Sequence, residues 1–146
     1  IGSAVQINSK LLYSIDHHQG SEEQQPGEEY HDPELINLSG DGINTLPFFI
    51  ETLERSQLKE TVIPIVSTSE EAFKDLDGPF SMIFIDGGHT YSVVKNDTEK
   101  AFKMLNSDGI ILWHDYVPGK RSSRDVVKCI DEISKNVKIQ NIKNTS

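Results

Sequence analysis

Three apolar stretches of the sequence end in acidic or imidazole side chains. Asp16 follows "KLLYSI", Asp86 and His89 follow "FSMIFI", and His114 with Asp115 follows "IILW". An imidazole can take up and release a proton near neutral pH, and carboxylates are the oxygen ligands that hard divalent metals prefer. The pattern therefore predicts a catalytic site in which His89 is the general base, while Asp86 and Asp115 orient an acceptor or hold Mg²⁺.

Structural roles are open for the same side chains. The pair Gly87-Gly88 suits any tight turn, because glycine tolerates positive φ and close backbone approach, but such a turn needs no acid or imidazole. His89 could instead cap the helix that begins at Thr90, and either acid could cap the loop after it. His114 is a candidate metal ligand beside the two acids, although strand alternation predicts that its side chain points away from that of Asp115.

Strands and helices alternate along the chain in a way that would bring these side chains together. Apolar or alternating runs predict strands at residues 10–16, 61–66, 80–85, 110–114 and 137–142, and helical spacing predicts helices at 44–58, 69–77, 90–106 and 123–134. Four of the strands are too apolar for a one-sided sheet. They predict an α/β fold, an open, mostly parallel, doubly wound Rossmann-like sheet with helices on both faces. In such sheets ligands bind at the carboxyl ends of the strands.

Length, charge and cysteine content narrow the class of protein. A chain of 146 residues with net charge −9 predicts one domain, residues 1–146, that does not hold nucleic acid or anionic membrane through its bulk charge. The single cysteine, Cys129, allows no intramolecular disulfide and indicates a reducing, cytoplasmic setting. No apolar run reaches the roughly 18 residues of a membrane span. The acidic stretch 17–42 predicts a long loop that either covers an acceptor pocket or is simply exposed.

The segments "LLYSIDHHQGSEEQQPGEEYHDP", "TLPFF", "FIDGGHTY" and "GIILWHDY" together resemble the class I S-adenosylmethionine-dependent methyltransferases, in particular the small-molecule type 24 group. The resemblance covers nearly the whole chain. Asp16, Asp86 and Asp115 match the ends of the second, fourth and fifth strands of that fold. The family's first strand and glycine-rich loop would precede this sequence, which begins at Ile1, so residues 1–6 are expected to be the end of the helix that follows that loop.

The resemblance implies roles for individual residues. Asp16, with His17 beside it, would bind the ribose of S-adenosylmethionine, and the turn with Ser67, Thr68 and Ser69 would flank the adenine. Thr68 stands where the family often has an acid. Asp86, Asp115 and His89 match the two strand-end acids and the base of the metal-dependent O-methyltransferases, and Asp86 is also counted among the cofactor-binding residues. Where that family often has an asparagine or a second acid beside the fifth-strand acid, this chain has His114, which is counted as a third candidate ligand.

These observations predict methyl transfer from S-adenosylmethionine to a hydroxyl of a small molecule, such as a sugar or a natural product, with Mg²⁺ as an optional participant and no nucleic acid or membrane partner. A homo-oligomer is compatible with the sequence. Two alternatives stay open. The stretch "IDHHQ" resembles the metal-binding motif of the DHH phosphoesterases, which would use Asp16, His17, His18 and Asp86. A non-catalytic nucleoside-binding domain is the other, because the glycine-rich loop lies outside this sequence.

Overall fold

The computed structural model describes residues 2–8, 10–21, 24–28, 31–36 and 42–142. Contacts divide the chain into two units, residues 1–76 and 77–146. The predicted loop at 17–42 falls partly outside the described residues. Its described part contains a short 3-10 turn, Pro33–Leu35, and an isolated antiparallel bridge between Ile36 and Ile43. Within the described ranges, no helix is both long enough and apolar enough to cross a membrane.

The first unit is built around two parallel strands. Its elements are α1 (Gly2–Ile7), β1 (Leu12–Ile15), α2 (Leu46–Arg55), β2 (Val62–Ile65) and α3 (Ser69–Asp75). β1 and β2 pair in parallel, with Leu12 opposite Val62 and Ile15 opposite Ile65. The helix expected at the start of the chain is therefore present as α1.

Short polar side chains mark where the helices of this unit begin. The Asn44 side chain accepts a hydrogen bond from the backbone N–H of Leu46 at 3.2 Å, which satisfies one of the free amides at the start of α2. Asp41, a second residue of the capping type shortly before the predicted helix 44–58, lies outside the described residues. Thr68 is the N-cap of α3, and its Oγ1 accepts from the backbone N–H of Glu71 at 3.3 Å.

The second unit repeats the strand–helix–strand pattern and adds a final helix. It consists of β3 (Phe80–Ile85), α4 (Tyr91–Met104), β4 (Leu105–Trp113) and α5 (Arg124–Ile133), the last preceded by a 3-10 turn at Arg121–Ser123. β3 and β4 are parallel, with Ile85 opposite Trp113. The core is a cluster contributed by α4 and α5, namely Val94, Val126, Cys129 and Ile130. Cys129 is thus a buried helix residue, as expected.

Two predicted elements differ from the structure. Residues 137–142 form no strand and pair with no strand in the described part of the chain, because alternating side chains make a strand only where a neighbouring edge accepts its hydrogen bonds. Residues 107–109, expected as a helix exit, belong to β4. The partners of Phe80 and Met82 are Leu105 and Ile110, so the extra residues of β4 bulge at this point. The mixed α/β class with parallel strand pairs is confirmed.

Candidate active site

Four predicted site residues meet at the carboxyl ends of β3 and β4. The Nε2 atom of His89 lies 2.9 Å from Oδ2 of Asp115, and the Nδ1 atom of His114 lies 2.8 Å from the same oxygen. His114 Nδ1 is also 3.1 Å from Oδ1 of Asp86. The Oδ2 atom of Asp115 therefore contacts both imidazoles, and the imidazole of His114 contacts both acids.

Strand pairing and one unusual backbone angle explain this arrangement. Ile85 and Trp113 are the last paired residues, so Asp86 and His114 follow at adjacent positions, and the N–H of His114 donates to the carbonyl of Ile85 at 3.0 Å. Asp115 has φ of 56°, in the left-handed region that aspartate tolerates better than most residues. The expectation that His114 points away from Asp115 is wrong, because strand alternation ends where the chain turns into this conformation.

Hydrogen bonds and charges within the cluster shift the pKa values of Asp115 and His114. Partial burial would raise the pKa of the Asp115 carboxyl, but hydrogen bonds and charge from His114 and His89 outweigh it and hold the pKa below its ordinary value. The hydrogen bond to Asp115 raises the pKa of His114, and the charge of Asp86 adds to the effect. Asp86 and His114 are each about half exposed, so water reaches the cluster from one side. The cluster therefore favours an ionised Asp115 with a proton on His114.

The two glycines of the turn are not required by its backbone. Neither Gly87 nor Gly88 has a positive φ, which corrects the conformational reason suggested by the sequence. A Cβ atom at Gly87 would lie 3.4 Å from Oδ2 of Asp97, and one at Gly88 would lie 3.7 Å from Cγ1 of Val93. Both are ordinary contacts. The turn carries no side chain at these two positions, which suits the close approach of a ligand to the backbone.

A small cavity lies directly beside the cluster. It has a volume of about 10 Å³ and is lined by residues 85–89 and 113–115, with Val94 and Val126 contributed by the two helices. That volume is about what one water molecule requires. A single hydroxyl group or a single metal ion therefore fits beside His89 and Asp115 without rearrangement of the core.

The role of His89 as a helix cap is not supported. Thr90 is the N-cap of α4 and makes no side-chain capping bond. The backbone N–H of Tyr91, one of the free amides of that helix, instead donates to Oδ2 of Asp125 at 3.1 Å. The Nε2 atom of His89 is directed to Asp115. Asp125 is therefore a residue that local sequence patterns did not indicate, because it caps a helix 34 positions away.

At the end of β1, Asp16 and the two histidines after it each make local hydrogen bonds. The Oδ1 atom of Asp16 accepts from the backbone N–H of His18 at 2.7 Å, and the Asp16 side chain is 53% exposed. His18 is buried, with Nδ1 2.9 Å from Oγ1 of Thr45, and His17 accepts from the N–H of Gln19. Among the described residues, neither histidine belongs to a group of three possible metal ligands.

The polar turn after β2 is organised by Glu71, in the acidic first turn of α3. The hydroxyls of Ser67 and Thr68 lie 3.2 and 3.1 Å from Oε2 of Glu71, and these hydrogen bonds lower the pKa of the Glu71 carboxyl. Thr68 and Glu71 form a capping box, which the spacing Thr-x-x-Glu could have indicated. Because the N–H of Asp16 donates to the carbonyl of Ile65, Asp16 and this turn follow neighbouring strands of one sheet.

Comparison with known proteins assigns the chain to a family. Parallel βα units with polar side chains at the strand ends define an α/β protein of the Rossmann-like class. Residues 1–116 match the methyltransferase domain family of type 24, and the chain belongs to this family of class I S-adenosylmethionine-dependent methyltransferases. Membership implies S-adenosylmethionine as the methyl donor. Every predicted site residue lies within the matched range, and α5 follows it.

The chain is also similar to part of a viral protein. The chain is 30% identical over 84 residues to "Uncharacterized protein R132" of Acanthamoeba polyphaga mimivirus, and the alignment covers 58% of this chain. It covers 34% of that relative, so the chain spans about a third of the relative's length. The family assignment favours methyl transfer over the phosphoesterase and non-catalytic alternatives.

Proposed function

We propose that this chain catalyses methyl transfer from S-adenosylmethionine to a hydroxyl of a small molecule, with His89 accepting the hydroxyl proton. The contact of 2.9 Å between His89 and Asp115 beside a cavity of one-hydroxyl size carries this proposal. A general base must lie within hydrogen-bond reach of the proton that it removes. The single cysteine supports a cytoplasmic setting for this reaction.

The protein's part in such a reaction is alignment and proton removal. S-adenosylmethionine, when bound, supplies the methyl group, and the electrons of the broken carbon–sulfur bond stay on sulfur. His89 takes the proton of the hydroxyl whose oxygen forms the new bond, so charge balances on both sides. Asp115 holds the imidazole in one orientation and offsets the positive charge that it gains. Asp86, at the adjacent strand end, orients the acceptor.

The first unit offers a place for the nucleoside part of the cofactor. A cleft of about 590 Å³ is lined by residues 17–20, 42–44, Gln25, Leu46 and Val66, a size typical of small-molecule sites. Asp16 directly precedes this lining, and its side chain is half exposed, so we assign its carboxylate to the ribose hydroxyls. We assign His17, Ser67, Thr68 and Ser69 to the surroundings of the ribose and adenine. The hydroxyl of Thr68 is already used by Glu71, so its contribution would be steric.

Metal assistance is a second candidate, favoured by one observation. Asp86, His114 and Asp115 each offer a ligand atom, and these atoms lie within 4.8 Å of one another. Two carboxylates and an imidazole are suitable ligands for Mg²⁺ or Mn²⁺. His114 Nδ1, which contacts both acids, would have to lose its proton before it could bind the ion. A bound ion would act as a Lewis acid on the acceptor oxygen.

The direct test of the proposed function is transfer of a labelled methyl group. The purified protein is incubated with methyl-labelled S-adenosylmethionine and a panel of sugars, phenols and carboxylic acids, and the products are located by mass spectrometry. Label on a hydroxyl oxygen supports the proposal. Label on nitrogen or carbon, or S-adenosylmethionine binding without transfer to any class of acceptor, contradicts it.

A substitution at Asp16 can separate its hydrogen bond with the backbone of His18 from its proposed contact with the ribose. Asp16→Asn keeps the Oδ1 acceptor for the N–H of His18 but removes the charge, so we expect an intact turn and S-adenosylmethionine affinity weaker by roughly 1.5–3 kcal/mol, the scale of hydrogen bonds to a charged group. Titration calorimetry measures the loss. Asp32→Asn is the matched control, because Asp32 also accepts a local backbone N–H, from Glu34, outside the β1 end. Equal affinity in all three proteins would remove Asp16 from the ribose site.

Gly88→Ala tests whether a ligand approaches the turn. A methyl group at this position meets only an ordinary contact with Val93, so we expect the free energy of unfolding to stay the same or to rise by about 0.4–1 kcal/mol. The rate of methyl transfer should nevertheless fall on the order of tenfold to a hundredfold, because the acceptor is displaced. Thermal unfolding and initial rates give the two values. Full activity in the variant would mean that no ligand comes close to the turn.

A further inference from the structure

Two tyrosines stand next to the proposed catalytic pair, and both are bound by α5. Tyr91 lies two residues after His89, and its hydroxyl donates to Oε2 of Glu132 at 2.5 Å. Tyr116 directly follows Asp115, and its hydroxyl donates to Oδ1 of Asp131 at 2.8 Å. Both rings pack against the core cluster of the second unit. The same helix therefore contacts the chain on each side of the hydrogen bond between His89 and Asp115.

Tyr91 is held at three points along one face of α5. Asp125 accepts from its backbone N–H at 3.1 Å, Lys128 places its Nζ atom 4.5 Å from the ring centroid, and Glu132 accepts from its hydroxyl. Positions 125, 128 and 132 are three and four residues apart, the spacing of one helix face. Thr90 makes no side-chain capping bond, so within the described residues the cap of α4 comes from α5.

The phenol contacts persist at neutral pH. The hydrogen bond to Glu132 raises the pKa of Tyr91 to about 12, and the hydrogen bond to Asp131 raises the pKa of Tyr116. Both hydroxyls therefore keep their protons and remain donors. Their acceptors, Glu132 and Asp131, are consecutive residues near the end of α5, which links the two tyrosines through one rigid segment.

We propose that α5 is the positioning element of the active site: Asp125, Glu132 and Asp131 act through Tyr91 and Tyr116 to hold His89 and Asp115 at hydrogen-bond distance. His89 and Asp115 both lie in turns after strands, where the backbone lacks the constraint of regular hydrogen bonding. Catalytic groups need placement to within about 0.5 Å, which requires support from neighbouring residues. The inference rests on the proposed function, in which His89 is the base.

The test is a spectroscopic measurement of the His89 imidazole that needs no acceptor. The protein has five histidines, so ¹⁵N-histidine labelling gives a simple spectrum, and His89→Ala assigns its signal. In Asp125→Ala we expect exchange of the His89 Nε2 proton with water to accelerate on the order of tenfold, because the anchored turn opens more often. Asp125→Asn should restore slow exchange, because its amide oxygen still accepts from Tyr91.

A core variant of α5 separates positioning from general destabilisation. Cys129→Ala loosens the core packing of the same helix but keeps Asp125, Asp131 and Glu132, the three acceptors that bind the tyrosines. It should lower the melting temperature yet leave His89 exchange unchanged. Unchanged exchange in Asp125→Ala, or equal acceleration in Cys129→Ala, overturns the proposal. Should Asp125→Ala not fold, Glu132→Ala and Tyr116→Phe, which each remove one of the tyrosine hydrogen bonds, decide by the same criterion. Absence of methyl-transfer activity in the parent protein would contradict the proposed function, but the result on His89 positioning would remain valid.

Discussion

Replacing His89 with alanine is expected to lower the rate constant of methyl transfer by about a hundredfold or more, which is the usual contribution of a positioned general base. Affinity for S-adenosylmethionine should stay near that of the parent, because the predicted nucleoside contacts are in the first unit. The parent rate should rise as the solution is made less acidic, since only a neutral imidazole accepts a proton. Single-turnover rates across a pH series, together with calorimetry, measure both quantities.

Two other histidines serve as controls for this variant. His31→Ala removes an imidazole whose Nδ1 atom lies 3.3 Å from the carbonyl oxygen of Gln24, in the first unit rather than at the ends of β3 and β4, and it should keep parental activity. His114→Ala removes the second imidazole bound to Asp115. A large loss in His114→Ala with nearly full turnover in His89→Ala would reassign the base to His114. Parallel loss of stability and activity in His89→Ala would make this residue structural.

Asp115→Asn should lower the rate by a similar factor, about a hundredfold, because Asp115 contacts both imidazoles and is one of the two acids at the strand ends. Asparagine is the informative choice, since it tolerates the left-handed backbone of this position, whereas alanine would add strain of about 1–2 kcal/mol. The variant therefore isolates the loss of charge. Initial rates measured beside thermal unfolding are the required data.

The sign of the pH effect on stability follows from the pKa of Asp115. Its folded-state pKa is lowered, so the carboxylate stabilises the folded protein above its ordinary pKa, and this contribution is lost as pH falls through the lowered value. The parent should therefore lose more stability on acidification than Asp115→Asn does.

Chelation then tests the metal: if EDTA abolishes activity and Mg²⁺ restores it, Asp115 acts as a ligand. Full activity in EDTA leaves it with the role of orienting His89.

Several features could be predicted from local sequence because they depend on neighbours a few residues apart. The apolar run at Phe80–Ile85 forms β3 with the predicted bounds, and α3 begins at Ser69, the predicted start of its helix. The placement of acids after strands also came from sequence order alone. Parallel pairing then brings Asp86 beside His114, as the rule for strand ends requires.

Other features were decided only by tertiary contacts. His114 turns toward Asp115 because of a backbone angle at position 115, and Tyr91 is capped by Asp125 across 34 positions of sequence. Residues 137–142 alternate like a strand yet pair with no strand in the described part of the chain. Periodicity and capping motifs report interactions within one element, so they determined where helices and strands form. The direction of a side chain in a turn, and the partner that fixes it, depend on groups distant in sequence, and only the folded chain brings those groups together.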